Sequence, residues 1–252
     1  MHARAKPEIL LSLLMVLIFL LPVAGITQEV FDPPMDRTMF QASLVEGAIT
    51  VDGDLSEPIW QQAQVITNFV QKEPVQQADP TYKTEVRLAY DEDALYIAAI
   101  CFQPRDLTRV QNLQRDFSFD DNDLFGISID GFLDQRNAVI FQTTPHGNQR
   151  DLEVIDGTEA NLNWDARWTV RTAIHDDRWV AEIEIPWRNL RYPEGADRLG
   201  AIFARNVRSL NEESSLPAIP RAFSIERMAY AGELRGFETP PPRPNLQLNP
   251  YV

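Results

Sequence analysis

The chain has 252 residues, only one cysteine, and a formal charge of −14. An acidic surface of this size repels the phosphates that nucleic-acid binders must neutralise with Lys and Arg. Cys101 stands alone, so no internal disulfide is available and the core must hold by packing. With 44% hydrophobic and 10% aromatic residues, the chain has enough apolar material for one domain of the size β-sandwiches reach.

In chain order, Arg4 and Lys6 give a basic start and Ile9 to Leu21 an apolar run broken only by Ser12. The small residues Ala24 and Gly25 follow. Basic, apolar, small is the order of a secretory signal. The run is 13 residues long, short of the ~20 a membrane-spanning helix needs. Residues 1–24 are therefore read as a signal peptide, and residues 25–39, with Pro33 and Pro34, as a linker.

From residue 40 the hydrophobic period is two, the period of half-buried strands. Val86, Leu88 and Tyr90 alternate with Glu85, Arg87 and Ala89. Phe125, Ile127 and Ile129 alternate with Gly126, Ser128 and Asp130. Trp168, Val170, Thr172 and Ile174 form a third row; Trp179, Ala181, Ile183 and Ile185 form a fourth, opposite Glu182 and Glu184. Each row predicts one oily and one wet face. Ala94 to Phe102 and Leu199 to Val207 are apolar enough to be buried on both faces. Turn signals separate the rows: Tyr90-Asp91-Glu92-Asp93, Pro145-His146-Gly147-Asn148, His175-Asp176-Asp177 and Tyr192-Pro193-Glu194-Gly195. Two short helical pieces, 57–63 and 186–190, complete the pattern. The prediction is an all-β, jelly-roll-like sandwich over residues 40–236, followed at 237–252 by a proline-rich connector.

Chemistry-bearing motifs are few. The chain has no glycine-rich phosphate loop, no G-x-S-x-G and no H-E-x-x-H. Beyond the leader, His146 and His175 are the histidines, both in turns, which is not the ligand set a zinc site needs. Carboxylates cluster instead: Asp116, Asp120, Asp121 and Asp123 precede the Phe125 strand. Asp120, Asp121 and Asp123 are candidate ligands for calcium, which selects oxygen donors; a solvated acidic loop is the plainer reading. A glycosidase pair built from residues 120–123 with Asp151 or Glu153 is the enzymatic alternative. Trp60, Trp168 and Trp179 fall in apolar rows and are expected in the core, which leaves Trp164, in the loop after Asn161, as the candidate stacking platform.

Joint motifs carry a resemblance. Ile49-Thr50-Val51-Asp52-Gly53-Asp54-Leu55-Ser56-Glu57-Pro58-Ile59-Trp60 resembles the opening of family 9 carbohydrate-binding modules. Tyr90-Asp91-Glu92-Asp93-Ala94-Leu95-Tyr96-Ile97 is similar to their hairpin, Asp120-Asp121-Asn122-Asp123 to their acidic lead-in, and Trp179 to Leu190 to their late strand and helix. Asp165-Ala166-Arg167-Trp168, Pro186 to Tyr192, Gly232 to Gly236 and Leu246 to Val252 further resemble bacterial outer-membrane proteins in which the module precedes a β-barrel. The resemblance implies a glycan ligand, held near Trp164, Phe119, His146 and Asp120, and no catalytic residue. It also implies a place in the periplasm or outer membrane, a role in carbohydrate breakdown or uptake, and a barrel whose start alone is present here. In the family two tryptophans clamp the sugar. Here Phe119 or Asp120 stands at the first place, and Leu216 to Ala231 contains no tryptophan for the second. That departure leaves room for a module that only docks onto a barrel. The leader gives a first test: the N-terminus of protein made in a Gram-negative host should be Gly25 or Ile26. A mature protein still starting at Met1 refutes export.

Overall fold

The computed structural model describes residues 31–157 and 159–242. Its strands, in chain order, are β1 (Met39–Gln41), β2 (Ser43–Leu44), β3 (Val70–Glu73), β4 (Thr84–Tyr90), β5 (Ala94–Phe102), β6 (Leu124–Asp130) and β7 (Ala138–Thr143). They continue as β8 (Gln149–Ile155), β9 (Glu159–Asn161), β10 (Thr169–Ile174), β11 (Arg178–Pro186), β12 (Arg198–Val207), β13 (Glu212–Leu216) and β14 (Gly232–Arg235). One short helix, α1 (Pro58–Gln62), and a few single helical turns complete the described chain. The larger sheet runs β1-β14-β12-β6-β7-β8-β9, with β13 and β3 added along the second half of β12; the smaller runs β10-β11-β5-β4-β2. Neighbours are antiparallel except β1 on β14 and β2 on β4.

The period-two rows explain the layering. Leu88, Leu95, Ile97, Trp179, Ala181 and Ile183 of the smaller sheet pack in one core with Phe125, Ile127, Phe141 and Phe203 of the larger. All-β architecture, the short helix at 58–62 and a helical turn at 187–189 match the sequence pattern. The wet faces do not. Every residue of β6 is buried, including Gly126, Ser128 and Asp130. The cause is a second layer on each sheet. Segment 219–228 lays Ile219, Ile225 and Met228 over Ile140, Leu152 and Ile202 on the back of the larger sheet. Segment 45–60 lays Val45, Val51, Ile59 and Trp60 over Ala89, Tyr96 and Ala98 on the back of the smaller. The chain also stays packed beyond residue 236: Phe237 is buried against Tyr90 and Trp187, with ring centroids 5.9 and 5.4 Å away. The sequence places it in the connector. Residues 243–252, the rest of that connector, lie outside the described residues, as does the leader.

Glu182 fastens the outer layer of the smaller sheet. It stands on β11 among the residues expected to face water, yet it is fully buried. Its Oε2 accepts the backbone N–H groups of Asp52 and Gly53 at 2.9 and 3.0 Å, and its Oε1 accepts the indole N–H of Trp60 at 3.0 Å. Burial pushes this carboxyl upward, against the pull of the three donors. Gly53 has φ +91°, and a Cβ there would lie 3.2 Å from the backbone of Thr172, so the turn needs glycine twice over. Removing the acceptor strands three buried donors. Glu182→Ala should cost ~3 kcal/mol or more, and Glu182→Gln, which keeps one oxygen, should cost less. Urea denaturation reads both; a loss for Ala indistinguishable from zero refutes the clasp.

Candidate functional site

The acidic segment before β6 is organised by two buried side chains. Asp123 Oδ2 accepts the Gln103 amide and the Arg109 backbone N–H, each at 2.8 Å, and its Oδ1 accepts the Arg208 backbone N–H at 2.6 Å. Asn122 binds the Gln111 N–H and the Ser118 carbonyl. Asn206 on β12 donates to the carbonyls of Phe119 and Asn122. These bonds fold 119–121 into one helical turn that exposes Asp120 and half-exposes Phe119 and Asp121. Burial raises the Asp123 carboxyl although its donors pull the other way.

Upstream, residues 113–116 lie along the edge of β8, where the Asp116 N–H donates to the Gln149 carbonyl at 2.9 Å. Successive residues of β8 point to opposite faces. Asp151, paired with core-facing Phe141, points inward. It is buried, accepts the Ala166 N–H at 2.5 Å and the Trp168 indole at 3.3 Å, and pairs with Arg115. Arg115 also reaches Gln149 Oε1 at 3.0 Å and Asp165 at 3.2 Å. Arg150, paired with Gln142, points to the outer face, where its Nη1 donates to Gln142 Oε1 at 2.6 Å. Burial lowers the Arg150 pKa, and the field of Glu226, Asp116 and Asp120 opposes that shift. At the edge of β8 an open cleft of about 430 Å³ is lined by Leu113, Arg115, His146, Gly147, Asn148 and Gln149.

The structure thus leaves Arg150 in the field of Asp120, with Phe119 in the same turn as Asp120 and His146, exposed, in the cleft at the edge of β8. Trp164 is set differently from the free platform the sequence suggests. It is half-buried, its ring edge-on to Phe141 at 6.1 Å between centroids. Arg115, through Asp165, ties its loop to the same region.

The calcium set does not assemble, because Asp123 turns inward while Asp120 and Asp121 turn outward. Among the described residues no three His, Cys, Asp or Glu side chains converge as metal ligands would. Of the carboxylates of the enzymatic alternative, Asp123 and Asp151 are engaged by their donors and Glu153 by Arg191 at 2.8 Å. Gln142, Arg150 and Glu226 were missed. Two polar residues at matching positions of adjacent hydrophobic strands are the signal that could have found the first two. Glu226 comes from a distant loop and left none. Asp123→Ala should therefore destabilise by ~3 kcal/mol, the cost of orphaned buried donors, whereas Asp120→Asn with Asp121→Asn should stay within ~0.5 kcal/mol. Equal losses in thermal melts would contradict this division.

Three comparisons bear on this geometry. No curated protein matches the chain. Among solved structures, a carbohydrate-binding module family 9 from Caldicellulosiruptor kristjanssonii, in complex with glucose, superposes with a TM-score of 0.58 at 16% identity, covering 84% of this chain and 100% of that one. Its complex with cellotriose gives 0.56 at 16% identity over the same shares. A putative carbohydrate-binding protein from Bacteroides uniformis gives 0.62 at 10% identity, covering 80% of this chain and 100% of that one. These likenesses concern the fold. The sequence profile described as Carbohydrate family 9 binding domain-like matches residues 51–213, from the Asp52-Gly53 turn to β13, and the chain belongs to that family.

Proposed function

We propose that this domain binds a neutral saccharide on the outer face of the larger sheet, where Arg150 and Gln142 meet the 113–121 segment. The observation that carries the reading is Arg150. A guanidinium held half out of water beside a side-chain amide, in the field of Asp116, Asp120 and Glu226, offers donors and acceptors to vicinal hydroxyls. Charge-assisted hydrogen bonds of this kind are about twice as strong as neutral ones. Three carboxylates to one cation disfavour an anionic sugar, and half-exposed Phe119 supplies an apolar border. Family membership and the glucose and cellotriose complexes of the Caldicellulosiruptor module support the ligand class.

The wider reading is an exported module of an outer-membrane-associated protein that takes part in carbohydrate breakdown or uptake. The basic, apolar, small order of the first 25 residues supports export, and the resemblance of residues 165–168, 186–192 and 232–236 to outer-membrane proteins supports the rest. The site is tested with glucose and cellotriose by titration calorimetry. Arg150→Ala should weaken binding at least tenfold, since a hydrogen bond to a charged group is worth ~1.5–3 kcal/mol. It should leave the melting temperature nearly unchanged. Undiminished affinity in Arg150→Ala would refute the site.

A further inference from the structure

The β6–β7 turn, residues 131–137, is built at a conformational cost. Leu133 and Gln135 both adopt left-handed backbone, with φ of +56° and +61°, although neither is glycine. Such residues are strained and persist only where surroundings enforce them. Here two aspartates enforce them. Buried Asp130 accepts the N–H groups of Phe132 and Gln135 at 3.1 and 2.8 Å. Asp134 accepts those of Arg136 and Asn137, both at 2.8 Å. A third constraint comes from segment 187–192. A Cβ on Gly131 would lie 1.9 Å from the Arg191 carbonyl oxygen, so glycine lets that segment press directly on the turn.

The result of this construction is an exposed phenyl ring. Phe132 is 53% exposed, where a freely chosen turn residue would be polar. It borders a groove of about 350 Å³. The floor is apolar, formed by Ile129, Val139 and Leu190 of the main core. The rim carries Ile155, 41% exposed, and the Arg191–Glu153 ion pair at 2.8 Å. The Glu153 side chain is only 15% exposed, so its carboxylate is held in place at the rim.

From these features we infer that the groove is a second saccharide subsite. A pyranose is two-sided: one face is C–H, and the edge is hydroxyl. Phe132 and Ile155 match the C–H face, and the Glu153 carboxylate with the Arg191 guanidinium matches adjacent hydroxyls as acceptor and donor. The groove lies at the opposite end of β6 from the Arg150 surface. On β8, Arg150 and Glu153 stand three positions apart, ~10 Å at 3.3 Å per residue, and their side chains point to opposite faces of the sheet. One sugar ring cannot occupy both. The inference rests on the saccharide reading of the chain but not on the Arg150 surface.

A printed array of neutral and acidic oligosaccharides tests it with the full chain, Arg150→Ala, Phe132→Ala, Phe132→Trp and the double alanine variant. Arg150→Ala should keep a subset of the glycans bound by the unaltered chain. Adding Phe132→Ala should weaken that subset about fivefold or more, the worth of one aromatic contact. Phe132→Trp should retain or strengthen it, which separates ring stacking from misfolding. Loss of all binding in Arg150→Ala alone overturns the second subsite and leaves the first. Identical profiles for Arg150→Ala and the double variant overturn it too. Phe132-dependent binding that ignores Arg150 keeps this site and refutes the other. An unaltered chain that binds no glycan refutes both.

Discussion

Everything on the back of the smaller sheet depends on one carboxylate kept out of water. Glu182 holds the Asp52-Gly53 turn and the Trp60 ring onto β11, and the apolar layer from Val45 to Trp60 follows from that attachment. A buried acid is costly unless its oxygens are satisfied. Here each oxygen is satisfied by groups that would themselves be stranded without it. The clasp also explains a spacing. Asp52 and Trp60 are eight positions apart in sequence, and the intervening turn and α1 return the chain to the same side chain.

The back of the larger sheet is divided along its length. Toward the middle and far end of the strands, Ile219, Ile225 and Met228 seal it with apolar contacts. Near the start of β6 and β8 the same face is polar, with Gln142, Arg150 and Asn206 in place of aliphatics. The 113–121 segment spans this polar part because Asp123, Asn122 and Asp116 each anchor it to a neighbouring backbone. The Asp123 carboxylate, the Asn122 amide and the Asp116 backbone therefore fix the loop, while Asp120 is left exposed. Sequence adjacency hides that division: Asp121 and Asp123 are two residues apart and do opposite things.

The fold was legible because period-two patterning and turn residues report directly on sheet faces, and the core rows of β4, β6 and β11 lie as their alternation requires. The wet faces were not legible. Ser128 and Glu182 are polar and read as solvent-facing, yet each accepts or donates within a covering loop that comes from 97 or about 130 positions away. Local pattern carries no information about such coverings. For the site, Asp120 and His146 were readable as polar loop residues. Arg150 was not, because its meaning depends on which side of β8 it occupies and on Glu226 from a distant loop. Trp164 is half-buried with the Phe141 ring at its edge, a contact that loop position alone does not reveal.

The first strands have a consequence for how the domain is made. Residues 39–44 pass from the larger sheet to the smaller within six positions, β1 pairing with β14 and β2 with β4. Phe40, buried in the core, lies opposite Leu234 in that register, so the earliest strand waits for the latest. Non-local pairings of this kind slow folding, since loop closure must precede the contacts that reward it. During synthesis the larger sheet cannot gain its β1 edge until nearly the whole domain has emerged. Until then the Phe40 ring has no finished core to enter, and the growing chain carries exposed apolar surface that a holding chaperone would recognise.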